Sequence, residues 1–144
     1  MRIERVYELP SQILSLVNES EGEGFRFLAR LKSDFDSRVN TFSNDGEALF
    51  AVFEANVLIA IGGINVQEIS GNQVGRLRRF YVKQSHKRYG VGASLLKRIE
   101  AFAFDHFSEI RLFTDTASAG RFYEKNGYQK AYEQGANYIK RKVT

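Results

Sequence analysis

The stretch from Val74 to Ala103 constrains this chain more than any other. Val74 to Val82 reads as a strand, and from Val91 a helical period takes over. Val91, Leu95, Ile99 and Phe102 share one stripe, with Leu96 and Ala103 beside it. Between them lies His86-Lys87-Arg88-Tyr89-Gly90-Val91-Gly92. A strand, a glycine-containing loop and a helix in succession can turn several backbone N–H groups toward one point, beside the positive end of the helix dipole. That geometry binds phosphate. Gly90 and Gly92 would let a diphosphate approach the main chain, and Lys87 and Arg88 bring charge to the same place. The two commonest nucleotide loops are excluded. A dinucleotide fingerprint needs a third glycine where Leu95 stands, and no Gly-Lys-Ser/Thr sequence occurs.

The rest of the chain arranges itself around this unit. Arg2 to Tyr7 suggests a first strand, and Pro10 suits the first turn of a helix carrying Ile13, Leu16 and Val17. Gly22 and Gly24 interrupt that helix; Phe25, Leu28, Leu31, Phe35 and Val39 mark a second. Leu49 to Phe53 and Val57 to Val66 are β-rich runs joined by Glu54-Ala55-Asn56, and Ser70-Gly71-Asn72 makes the next turn. Downstream we expect a strand at 110–114, a helix at 117–126 closed by Gly127, and final strands at 128–132 and 137–143. The order βααβββαβαββ predicts one α/β (α+β) domain over residues 1–144.

Composition narrows the functional classes. The chain has no cysteine, which excludes disulfides, thiolate metal sites and a cysteine nucleophile, and agrees with a cytoplasmic setting. Its longest apolar run, Val57 to Ile64, is far short of the ~18 residues of a membrane-crossing helix, and MRIERVYELP is not expected to act as a signal peptide. No membrane partner is expected. The net charge of +4 is modest, but Arg76, Arg78, Arg79, Lys83, Lys87 and Arg88 crowd into one segment. This favours an anionic small ligand over nucleic acid, because no RNA-binding motif or recognition helix accompanies the charge. No His/Asp/Glu cluster has metal-ligand spacing, so no metal is expected.

Leu77-Arg78-Arg79-Phe80-Tyr81-Val82, followed by Lys87-Arg88-Tyr89-Gly90-Val91-Gly92-Ala93, resembles motif A of the GCN5-related N-acetyltransferases (GNAT). Ala119-Gly120-Arg121-Phe122-Tyr123-Glu124-Lys125-Asn126-Gly127-Tyr128 is similar to the family's motif B, in the right order and at the right distance. The resemblance implies a mixed, mostly antiparallel twisted sheet of six to seven strands flanked by about four helices. It also implies acetyl-CoA as cosubstrate and direct acetyl transfer to the primary amine of a small-molecule or protein acceptor. The expected coenzyme A contacts are Phe80, Tyr81, Val82, Lys87, Arg88, Tyr89, Gly90, Val91, Gly92 and Ala93. The diphosphate would sit on the amides from about Lys87 to Ala93, and the pantetheine arm in an opening between the strand at Phe80–Val82 and that at 112–114. The N–H near Val82 would polarise the thioester carbonyl.

Tyr123 matches the family tyrosine that faces the departing sulfur. A tyrosine of pKa about 10 is a weaker acid than a thiol of about 8.5, so full proton transfer to the thiolate is uphill by roughly 2 kcal/mol. A hydrogen-bond donor role is therefore favoured over proton transfer. Three positions depart from the pattern: Lys87 replaces Gln or Arg, Thr116 replaces an Asn, and Arg76 stands where many relatives carry a Glu used as general base. The missing Glu leaves open a second reading, a non-catalytic acyl-CoA-binding or sensory domain. Glu21, Glu23 and Asp115 are candidates to attract the amine or relay its proton; His86 and His106 are weaker ones. Homodimerisation is left open.

Overall fold

The structure, a computed structural model, describes residues 1–133 and 135–143. The elements are β1 (Arg2–Val6), α1 (Ile13–Gly22), α2 (Phe27–Ser37), β2 (Ala48–Glu54), β3 (Val57–Ile69) and β4 (Asn72–Val82). A short 3-10 turn (Gln84–His86) leads to α3 (Val91–Ala103), β5 (Glu109–Leu112), α4 (Ala117–Lys125), β6 (Gln129–Glu133) and β7 (Ala136–Arg141). The seven strands form one sheet in the order β1-β2-β3-β4-β5-β7-β6. Every pairing is antiparallel except β4 with β5. The mixed fold anticipated from the sequence is the fold observed.

Side-chain alternation splits the core into two layers. On β2, Ala48, Phe50 and Val52 join a cluster with Leu95, Leu96 and Ile99 of α3. Leu49 and Ala51 face the other way, onto Leu16 and Val17 of α1 and Leu28, Leu31 and Phe35 of α2. β2 is therefore buried on both faces, which is why it reads as an unbroken apolar run. Two-residue turns close both central hairpins: Ala55 and Asn56 (φ 49° and 64°) join β2 to β3, and Ser70 and Gly71 (φ 50° and 82°) join β3 to β4.

The boundaries depart from expectation where local chemistry competes with periodicity. Pro10 lies upstream of α1, its carbonyl accepting from the Ile13 N–H, and is not in the first helical turn. The second helix is shorter than its apolar stripe. Phe25 precedes it, and Arg38 ends it in the left-handed region (φ 63°), held by a two-pronged ion pair to Glu8 at 2.9 Å, which leaves Val39 78% exposed. β5 stops at Leu112 because Asn137 takes over the next pairing. Its Oδ1 accepts from the Thr114 N–H at 3.0 Å and its Nδ2 donates to the Thr114 carbonyl at 2.6 Å.

β4 contains the one irregularity that matters most for the site. Its register with β3 shifts between Ile61 and Gly63, opposite Arg78 to Tyr81, and Arg79 is left-handed at φ 60°. This is a β-bulge. Leu77 faces the α3 layer, and after the extra residue so do Phe80 and Val82, while Tyr81 faces α1 and α2. The bulge also lets successive residues Arg78 and Arg79 project toward the α2 side. Arg79 reaches Asp34 of α2 at 3.4 Å.

Candidate active site

β4 and β5 pair only at Gly75↔Ile110 and Arg76↔Arg111. Beyond Arg76 the two parallel strands part, and β4 runs on to Val82 with its β5-facing edge unpaired. The direction of its amides follows from the ladder on the other side. The Lys83 N–H donates to the Ile59 carbonyl of β3 at 2.7 Å, and Tyr81 pairs with Ile61. Alternation then turns the Val82 and Phe80 amides away from β3, into the opening.

A second set of free amides lies at the end of the same strand. The first intrahelical bond of α3 runs from the Ser94 N–H to the Gly90 carbonyl at 3.0 Å, so Val91, Gly92 and Ala93 have no partner within the helix. Among the described residues, the amides of Arg88, Tyr89 and Gly90 have no backbone partner either. Arg88 and Gly90 are both left-handed (φ 72° and 79°), which curls the run into a concave nest ahead of the helix. Gly90 suits this position because its φ penalises a side chain although nothing lies within 4 Å of where a Cβ would be. Lys87, Arg88 and Tyr89 are exposed around the loop.

Tyr123 sits on α4 against the α3-side core, 6% exposed. Its ring is surrounded by those of Phe122 (5.2 Å between centroids), Tyr128 (5.5 Å), Phe80 (6.1 Å) and Tyr138 (6.4 Å). Its hydroxyl hydrogen-bonds no other described residue, and burial pushes its pKa well above the usual phenol range. The group therefore stays protonated at any working pH and is equipped to donate. Thr116, in place of the family Asn, caps α4: its Oγ1 accepts from the Ala119 N–H at 3.3 Å. Gly120 lets α4 pack on β7, since a Cβ there would lie 2.5 Å from the Tyr138 hydroxyl.

The opposite face of β4 holds a polar cluster of which sequence reasoning found only part. The Tyr81 hydroxyl lies against two carboxylates, Glu19 at 2.6 Å and Glu23 closer still, and Glu19 also accepts from the Gln84 N–H at 2.9 Å. Tyr81 was expected beside coenzyme A. Its side chain faces α1 and α2, and its main chain pairs with β3. Burial and the two carboxylates raise its pKa far above the phenol range. A single hydroxyl hydrogen cannot satisfy two carboxylates at once, so the cluster has spare acceptor capacity one residue from Val82. Glu23 was anticipated; Glu19 was not.

The remaining candidates lie elsewhere. Glu21 and Asp115 are exposed, Asp115 in a shallow cleft with Thr114, Thr116 and Asn137. His86 pairs with Glu54 at 3.0 Å and with the Ser85 hydroxyl at 2.8 Å. His106 stacks on Phe102 at 4.7 Å and bonds that residue's carbonyl. Arg76 pairs opposite Asn65 and Arg111 within the sheet. Among the described residues no cluster of three or more His, Asp or Glu could hold a metal ion, and no helix is long and apolar enough to cross a membrane.

Comparison with known proteins bears on this arrangement. A candidate acetyltransferase from Exiguobacterium sp. 255-15 superposes with a TM-score of 0.84 at 29% identity, over 97% of this chain and 92% of that one. An acetyltransferase from Streptococcus agalactiae gives 0.74 at 17% identity, covering 97% of each chain. An aminoglycoside 6'-N-acetyltransferase from Acinetobacter haemolyticus gives 0.69 at 17% identity over the full length of both. No curated protein sequence matches significantly. The acetyltransferase (GNAT) domain family matches residues 45–130, from the turn before β2 into β6, and so takes in the parted strands, the amide nest and Tyr123. The chain belongs to the GNAT acetyltransferase family.

Proposed function

We propose that residues 1–144 form a single N-acetyltransferase domain that moves an acetyl group from acetyl-CoA directly to a primary amine. The observation that carries this reading is the run of amides from Arg88 to Ala93, without backbone partners among the described residues, at the positive end of α3 and downstream of the unpaired edge of β4 that ends at Val82. A diphosphate fits the nest, with Lys87 and Arg88 supplying charge. An extended amide-bearing arm fits the strand edge, as an added strand would.

Acetyl-CoA would supply the activated acetyl group; the protein's residues supply position, polarity and proton management. The Val82 N–H, turned into the opening, is the donor for an oxygen that gains negative charge during transfer. Tyr123, protonated and without a hydrogen-bond partner among the described residues, donates a hydrogen bond to the sulfur as the C–S bond breaks. Its raised pKa makes complete proton transfer less favourable still. On the other face of β4, Glu19 and Glu23 attract the acceptor as an ammonium ion. The nitrogen must lose a proton before it attacks, and the two carboxylates about Tyr81 stand at the residue next to Val82 in the strand. They take over the task of the strand Glu that Arg76 replaces. This answers the main argument for a non-catalytic acyl-CoA sensor, which rests on that replacement.

Thiol release from acetyl-CoA, followed against a panel of small amines and lysine peptides, tests the proposal. Turnover with at least one amine, and its loss in Glu19→Gln/Glu23→Gln with coenzyme A affinity preserved, is the expected result. Tight coenzyme A binding without turnover on any amine would favour the sensor instead.

A further inference from the structure

Of the guanidinium groups on the α2 side of β4, Arg79 alone pairs with a carboxylate among the described residues. Arg78 and Arg79 are delivered to that side together by the bulge, with Arg76 two residues before Arg78. Arg30 of α2 adds to the field at Arg79. The acidic groups nearby are few. Asp34 makes one long contact to Arg79, at 3.4 Å. The buried carboxylate of Glu47 is already engaged by the Asn44 N–H, the Val66 N–H and the Asn65 amide, at 3.0–3.1 Å. The Arg79 side chain is only 9% exposed, and its Nε is buried without any hydrogen-bond partner. Arg78 makes no salt bridge or side-chain hydrogen bond to a described residue, and burial together with the charges of Arg79 and Arg76 lowers its pKa to about 10. Half-buried cations that repel one another and share a single long contact to a carboxylate are costly in the free protein. A fold keeps such an arrangement at low cost only when an anion completes it.

The same face of β4 carries the Glu19–Tyr81–Glu23 cluster. Arg78 and Tyr81 stand opposite Gly63 and Ile61, two ladder positions apart, about 7 Å along the strand. We infer that the acceptor is an amine that also bears an oxyanionic group, a carboxylate or a phosphate, which docks on Arg78 and Arg79 while its nitrogen lies toward Glu19, Glu23 and Val82. Arginine suits this task, because its planar fork can hold two oxygens of one anion. The inference rests on the transferase reading and specifies its acceptor.

The test uses product-like probes, so that binding is read without turnover. N-acetylglycine, N-acetyl-O-phosphoethanolamine and the neutral N-acetylethanolamine are titrated calorimetrically into the full chain saturated with coenzyme A, at fixed ionic strength. At least one anionic probe is expected to bind tenfold or more tightly than the neutral one, and which of the two binds more tightly names the acceptor class. Arg78→Gln is expected to abolish most of that preference and Arg78→Lys to restore part of it. The Arg78→Gln protein alone should melt no lower than the parent, because it removes a charge from a repulsive group. Equal binding of charged and neutral probes to the parent chain would overturn the inference, whatever the variants do. So would an undiminished preference in Arg78→Gln. The two proposals fail separately. Anion preference with no acetyl transfer to any amine sinks the transferase and keeps the subsite. Transfer to neutral amines as efficient as to anionic ones sinks the subsite and keeps the transferase.

Discussion

Replacing Tyr123 by Phe removes one oxygen and leaves the aromatic packing in place. The ring contacts to Phe80, Phe122, Tyr128 and Tyr138 need no hydroxyl. The hydroxyl has no hydrogen-bond partner among the described residues, and it is not one of the two fully buried orphaned atoms found there, Arg79 Nε and Tyr128 Oη. Folding stability should therefore change by less than about 1 kcal/mol, a shift of no more than roughly 4 °C in Tm for a domain of this size. The effect on catalysis is different in kind. A hydrogen bond to a charged atom is worth about 1.5–3 kcal/mol, so losing it at the departing sulfur should lower kcat roughly 10- to 150-fold. Coenzyme A affinity should stay within a few-fold. Burial holds the phenol pKa above its usual value, so the deficit should be flat from about pH 6 to 9. Steady-state thiol release on both proteins, with calorimetry for coenzyme A and a thermal melt, reads all three quantities. An unchanged kcat, or a deficit that disappears toward high pH, would refute the donor role. A collapse in Tm would show that the hydroxyl is structural.

Tyr128→Phe is the converse case: its hydroxyl is fully buried and, although the Glu100 carboxylate lies beside it, makes no well-formed hydrogen bond to a described residue, so the variant should be more stable by about 1 kcal/mol, seen as a raised denaturation midpoint. Gly120→Ala drives a methyl group to 2.5 Å from the Tyr138 hydroxyl, and overpacking of about 1–3 kcal/mol should lower Tm by several degrees. Gly90→Val forces a β-branched residue to φ 79° at the amide nest, and calorimetry should show at least a tenfold loss of coenzyme A affinity. Tyr123 and Tyr128 both have pKa values raised by burial, so the folded state holds their protons more tightly than the unfolded chain. Their contribution is complete below about pH 10 and is lost above it, by up to about 1.4 kcal/mol per pH unit for each tyrosine, which denaturant titrations from pH 9 to 11.5 would reveal.

Much of the candidate donor side was legible in the chain because it is local. The loop glycines, the α3 stripe and Tyr123 lie within runs whose spacing carries the structure. The proposed acceptor side depends on contacts between distant segments. Glu19 and Tyr81 are 62 residues apart, and nothing near Glu19 marks it out from Glu21, which the structure leaves exposed. The bulge did leave a trace. Leu77 and Phe80 are apolar positions three apart in a strand, a spacing that regular alternation cannot place on one face. From that spacing the side-by-side projection of Arg78 and Arg79 could be anticipated. The early end of β5 could not, since it depends on the Asn137 side chain standing in for a strand.

The two-residue seam between β4 and β5 makes this sheet two sheets in mechanical terms. β1 to β4, with α1, α2 and α3, form one panel; β5, β7 and β6, with α4, form the other. A ligand wedged along the parted edge would act as mortar as well as cargo, locking the panels at the angle that carries Tyr123 toward Val82. Amide exchange along residues 77–82 should then slow sharply when coenzyme A is added, while exchange in the β1–β2 pairing far from the seam stays as it was.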